Sequence, residues 1–133
     1  MNTKSVLTAA EVATMAAAAA EEATRNRWAV TIAIVDDGGH LLHMQRLEGA
    51  APISSYIATE KARASSMGRR ETRLYEEMIN QGRTAFLSAP LEGMLEGGVP
   101  ILVDGQVVGA FGVSGVKSSE DAQIAKAGIA ALG

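Results

Sequence analysis

The stretch Trp28-Ala29-Val30-Thr31-Ile32-Ala33-Ile34-Val35-Asp36-Asp37-Gly38-Gly39-His40-Leu41-Leu42-His43-Met44-Gln45-Arg46-Leu47 decides the fold class. Trp28 to Val35 is dense in apolar and β-branched side chains, the composition of a strand buried on both faces. Asp36-Asp37-Gly38-Gly39 then supplies the positive φ values that a tight hairpin needs. His40 to Leu47 reads as the return strand, with His40, Leu42, Met44 and Arg46 on one face and Leu41, His43, Gln45 and Leu47 on the other. A second hairpin follows late in the chain: Val99 to Val103, the turn signal Asp104-Gly105, and the partner strand Gln106 to Val113.

Helical segments surround the hairpins. Thr8-Ala9-Ala10-Glu11 is a capping box. Val12, Met15, Ala16, Ala19 and Ala23 recur behind it at helical spacing, so a helix is predicted over Ala9–Arg25. Pro52 suits a first helical turn. A helix is predicted over Ile53–Met67, with Ile53, Ile57, Lys61 and Ala64 on its inner stripe and Gly68 as its left-handed cap. A second helical piece runs over Glu71–Asn80, and the last helix spans about Ser119–Leu132, opened by Ser118 with Asp121. Arg83 to Gly98, carrying Pro90, Gly93, Gly97 and Gly98, is the least regular part. A short strand near Thr84–Leu87 is expected there. Joined edge to edge, the hairpins give an α/β (α+β) chain with one antiparallel sheet of about five strands flanked by helices, in the order α-β-β-α-α-β-β-α.

The 133 residues suit one domain, taken as residues 1–133. Aromatic residues make up only 4%, so the core is built from Ala, Val, Ile, Leu and Met, and side chains that small let helices and strands approach closely. The net charge is -3 and no basic patch stands out, so nucleic acid is not an expected partner. With no cysteine, disulfides, zinc–thiolate sites, iron–sulfur clusters and thiol nucleophiles are excluded. Acids interrupt the Ala-rich start, and no run of about 18 apolar residues occurs, so no membrane span is expected. A basic region followed by an apolar one is missing, and a cytoplasmic location is expected.

The candidate site residues are few. His40 and His43 are the only histidines. Three apart on a strand, they face opposite ways and cannot chelate one metal together; either His40 or His43 could ligate a haem iron. Arg46 and Lys61 stand on apolar faces, where a cation must reach solvent, pair with an acid, or bind an anion. If both lined one pocket between the sheet and the Ile53 helix, they would grip a carboxylate, Arg46 in bidentate fashion. The competing reading is a structural pair with Asp36, Glu48 or Glu60. Gly97-Gly98 and Gly112 with Ser114-Gly115 end strands, where backbone N–H groups can cradle an anion, or where glycine simply allows close packing. The phosphate-loop and dinucleotide spacings are both absent. In an enzyme acting on an acidic substrate, Lys61 would be the proton-shuttling residue.

Several segments carry a resemblance. They are Ile32 to Leu41, Gln45 to Ala50, Lys61-Ala62-Arg63, Glu96 to Ile101, Asp104-Gly105, Val108 to Gly115 and Asp121 to Gly128. In this order they resemble the GlcG/HbpS family, the haem-binding-protein-like group related to the C-terminal domain of PduO. The resemblance implies a profilin- or PAS-like layered fold and self-association to dimers or octamers. It further implies a small-ligand-binding role, with haem or another carboxylate-bearing molecule as ligand, or an accessory or enzymatic role in small-molecule catabolism. On that basis the ligand-binding residues are Arg46, Lys61, Gly97, Gly98 and Ser114. The haem-sensing branch carries a threonine after the double glycine, where this chain has Val99, and Glu76-Glu77 lacks the E-x-x-E spacing of its iron motif.

Overall fold

The computed structural model describes residues 1–133. Its elements are α1 (Ala9–Arg25), β1 (Thr31–Asp36), β2 (Leu41–Arg46), α2 (Ile53–Gly68), α3 (Thr72–Asn80), a 3-10 turn (Thr84–Ser88), β3 (Gly98–Val103), β4 (Gln106–Ser114) and α4 (Ser118–Ala130). The capping box that opens α1 forms as the sequence implies: the Glu11 N–H donates to Thr8 Oγ1 at 3.2 Å, and the Thr8 N–H donates to Glu11 Oε1 at 2.9 Å.

The hairpins join through β1 and β4 into one antiparallel sheet of order β2-β1-β4-β3. It has four strands, not five. The expected strand at Thr84–Leu87 is a 3-10 turn, whose backbone is satisfied locally: the Phe86 N–H donates to the Arg83 carbonyl at 3.2 Å and the Ala89 N–H to the Phe86 carbonyl at 3.0 Å. Phe86 stacks on Tyr75, with ring centroids 5.3 Å apart, which holds the turn against α3 and away from the sheet. Gly68 also departs from expectation. It remains in α2, and Arg69 takes the left-handed cap at φ 60°. Its side chain repays part of that strain by donating to the Asp37 and Ser66 carbonyls.

The two faces of the sheet are built differently. Toward α1 and α4 it presents Ile32, Ile34, Val99, Ile101, Phe111 and Val113, packed with Met15, Ala19, Ala23 and Ile124. Toward α2 it presents Ala33, Val35 and Ala110, packed with Ala58 and Ala62. The same face carries Gly98 and Gly112, which are paired across β3 and β4. A Cβ on Gly112 would overlap the Ala58 carbonyl oxygen and come within 2.5 Å of the Ala62 nitrogen. The α2 backbone therefore rests on the sheet with almost nothing between them. The inner stripe of α2 is accordingly Ser54, Ala58, Lys61, Ala62 and Ser65, and Ile53 faces out.

A bulge alters β2. Ile34 lies opposite His43 and Val35 opposite Leu41, so Leu42 is the extra residue. Met44 and Arg46 keep the α2 side, opposite Ala33 and Thr31, but Leu41 joins them there, and His40 lies outside the strand. The sheet edges also differ: β2 is a largely exposed edge, whereas β3 carries Pro100, which has no N–H to offer.

Candidate functional site

The anion-binding arrangement expected of Lys61 and Arg46 is not assembled, because the two cations lie on different sides of α2. Lys61 is on the inner stripe and its side chain is 4% exposed. Its Nζ donates to the Val113 carbonyl at 2.9 Å and to Asp121 Oδ2 at 3.1 Å. Asp121, 3% exposed at the start of α4, also accepts the Val116 N–H at 3.2 Å. The pair therefore ties α2 to β4 and α4. The acid is none of the three named from sequence; it comes from the far end of the chain, from the residue first read as a helix-capping partner of Ser118. That first turn is instead closed by Glu120, which accepts the Lys117 N–H at 3.2 Å.

Gly97 and Gly98 fit around this pair. A Cβ on Gly97 would come within 2.7 Å of Lys61 Nζ, and one on Gly98 would strike the Lys61 carbonyl and stand 2.7 Å from Thr72 Cγ2. The Gly98 N–H donates to Thr72 Oγ1 at 2.8 Å, and the Gly97 carbonyl accepts from Val113. Their geometry serves close packing over α2. Ser114 is buried at the end of β4, opposite Thr31. No pocket opens between α2 and the central strands β1 and β4, where the small residues are in contact; the only opening between α2 and the sheet lies along the edge strand β2, beside Arg46.

Burial pushes the Asp121 carboxyl up from 3.8 to about 6, with Lys61 and the Val116 N–H pulling the other way. The native state thus holds a proton on Asp121 over a range where the unfolded chain does not. This carboxyl's contribution to stability rises as pH falls from about 6 toward 3.8, and diminishes as pH rises through that window. A carbon-detected NMR titration should place the Asp121 midpoint near 6. A midpoint near 3.8 would mean that water reaches the carboxylate.

The space for a ligand lies on the outer side of α2. One cleft of about 450 Å³ is walled by Glu60, Arg63, Ala64 and Met67 of α2 and by Leu87 and Leu91 of the irregular segment. A second, of about 440 Å³, holds Arg46 with Met44, Pro52, Tyr56 and Glu60. Both are in the size range of small-molecule sites. Arg63 was not singled out from the sequence, although Lys61-Ala62-Arg63 was: at helical spacing its two cations face apart, one inward and one outward.

The histidines diverge. His43 turns to the α1 side of the sheet, and its Nε2 is enclosed without a hydrogen-bond partner. His40, 82% exposed, sits at the hairpin tip with Nδ1 at 3.1 Å from Asp36 Oδ1. Burial raises the Asp36 pKa, but the backbone N–H groups of His40 and Gly38, with the His40 ring, hold it below its usual value. The neighbouring Gly39 lies against Met67 and Arg63, two walls of the first cleft. His40 is the next residue along the turn, its ring lying beside Gly38 with Nδ1 held by the Asp36 carboxylate.

An α+β fold with a four-stranded antiparallel sheet, the double glycine packed over α2, and the second hairpin closing on it together define a class. The chain belongs to the HbpS-like family, whose model, described as haem degrading protein HbpS-like, matches residues 7–130. The GlcG protein of Escherichia coli (strain K12) is 56% identical over 114 residues, covering 86% of this chain and 85% of that protein. The solved PduOC–haem complex superposes with a TM-score of 0.86 at 26% identity, over 96% of this chain and 95% of the other. An HbpS double mutant of Streptomyces reticuli superposes at 0.89 with 30% identity, over 100% and 91%.

Proposed function

We propose that the protein binds haem, or a related planar molecule bearing carboxylates, in the cleft between α2 and the segment 87–92. The observation that carries this reading is the His40–Asp36 pair beside Gly39, which lies against Met67 and Arg63 of a cleft that offers both apolar side chains and a guanidinium. The donor set suits haem. The Asp36 carboxylate holds Nδ1 of His40 and leaves Nε2 for iron. Met67, Leu87 and Leu91 offer apolar contact to a macrocycle, and Arg63 offers a two-pronged grip on a propionate. Haem, when bound, would supply the redox chemistry of its iron; the residues here would bind, orient and partly shield it. The haem held by the PduOC relative lends the reading further support. Arg46, in the second cleft, remains available to a carboxylate on that side.

Titration of metal-free protein with haemin tests this. A saturable Soret shift is expected, weakened at least tenfold by His40→Ala and about tenfold by Arg63→Ala, the latter corresponding to loss of one charge-assisted contact. His43→Ala should leave it unchanged. A featureless titration, or one that His40→Ala does not alter, overturns the proposal.

A further inference from the structure

The segment 87–92, one wall of the cleft, is fastened at its two ends and nowhere between. At the near end Phe86 stacks on Tyr75 of α3 with ring centroids 5.3 Å apart, and the guanidiniums of Arg70 and Arg83 lie over Tyr75 and Phe86 at 5.2 and 5.9 Å. At the far end Gly93, at φ 67°, rests on the α2 backbone. A Cβ there would come within 2.5 Å of the Glu60 carbonyl carbon and 2.6 Å of the Lys61 nitrogen. Met94 beside it is buried. In the span itself the Ala89 N–H donates to the Phe86 carbonyl, the Leu91 N–H to the Ala89 carbonyl, and the Ser88 hydroxyl to the Ala85 carbonyl. None of these bonds reaches α2, α3 or the sheet. Pro90, with Ala89 extended before it at ψ 150°, keeps the span from coiling.

The span has open space on both sides. Toward α2 is the cleft of about 450 Å³. Toward α3 is a smaller cavity of about 320 Å³, lined by Glu76, Ile79, Asn80 and Met94. Leu87, Leu91 and Glu92 are walls of both. A shift of the span toward α3 therefore widens the one space by filling the other. Leu87 and Leu91 exchange one apolar surface, Ala64 and Met67, for another, Ile79 and Met94, so the apolar area withheld from water changes little. No hydrogen bond is lost, because none crosses either gap. The two fastenings lie outside the span, and what is between them is the kind of sparsely held segment from which local motions are drawn.

We propose that segment 87–92 is a strap with two positions, and that a planar ligand entering beside α2 drives it into the cavity beside α3. The ligand's part in this rests on the haem reading above; the two positions do not. Asn80→Trp tests the coupling. Asn80 is exposed at the end of α3 and is no part of the α2 cleft, but an indole there occupies the space into which the strap retreats. Haemin binding followed at the Soret band should weaken at least tenfold, with the far-UV circular dichroism of the wild type retained. Unaltered binding would overturn the proposal. Paired cysteines test the movement without ligand, in a chain that has none of its own. A disulfide needs Cβ atoms about 4 Å apart. Leu91→Cys with Met67→Cys therefore reports the position beside α2, and Leu91→Cys with Ile79→Cys the position beside α3. Both pairs should cross-link under mild oxidation. One pair alone, or neither, would mean a fixed wall and overturn the strap. If both pairs cross-link while the wild-type haemin titration is featureless, the haem reading falls and the two-position strap stands.

Discussion

Asp121→Ala should lower the unfolding free energy by about 3–5 kcal/mol, the cost of leaving a buried charge without its partner. Lys61 cannot swing to water, because its side chain lies between α2 and β4 beneath Gly97. Of its hydrogen bonds only the one to the Val113 carbonyl would survive. Chemical denaturation well above pH 6, where Asp121 is ionised, reads the difference directly. Replacing both partners with apolar side chains, as in Lys61→Met with Asp121→Leu, removes the charge together with its counter-charge. That variant should be within about 1–2 kcal/mol of the wild type, and so more stable than the single change. A loss below about 1 kcal/mol for Asp121→Ala would show that the ammonium finds solvent and that the pair contributes no more than a surface salt bridge.

Gly112→Ala should cost about 3 kcal/mol although it adds a single methyl group. The atoms in its way are the Ala58 carbonyl and the Ala62 nitrogen, both backbone of α2. No rotamer change relieves such a clash, so the helix must lift from the sheet, and Ala33, Ala58, Ala62 and Ala110 lose contact together. On the opposite face, Ile34→Val removes a methylene from a core of larger side chains and should cost about 1 kcal/mol. Thermal or denaturant unfolding of the two variants compares the faces. Equal costs would mean that α2 is not held as closely as Gly112 and Gly98 imply.

Most of the secondary structure was legible because it rests on local chemistry. The capping box and alanine periodicity give α1 its observed limits of Ala9 and Arg25, and the Asp-Gly and Gly-Gly signals place both hairpin turns. What failed depends on distant partners. The segment Thr84–Leu87 has strand-like residues, but Phe86 finds Tyr75 and the backbone closes on itself. The bulge at Leu42 has no marker in an unbroken apolar run, so the facing of His40 and Leu41 was misassigned while that of Met44 and Arg46 was not. Ile53 and Ile57 suggested an inner stripe by hydrophobicity, yet a sheet face of glycine and alanine admits only small side chains beneath a helix. The site shows the same division. Lys61 was legible as a cation needing an explanation, but Asp121 is 60 residues away, and acids near the start of a helix usually signal capping. His40 and Arg46 could be named from their surroundings; that Arg63 rather than Lys61 faces a cleft follows only from how α2 is rotated on the sheet.

The unequal rims of the sheet carry a consequence for how copies of this chain could grow into fibres. Endless head-to-tail stacking requires each molecule to accept a strand at one rim and donate one at the other. The β2 rim has the donors and acceptors for this, but midway along the six residues of β3 the ring of Pro100 removes a donor. Growth that enters by β2 therefore meets an interrupted ladder at the far rim. One imino acid on the second hairpin thus limits edge-to-edge joining to a pair and works against a filament.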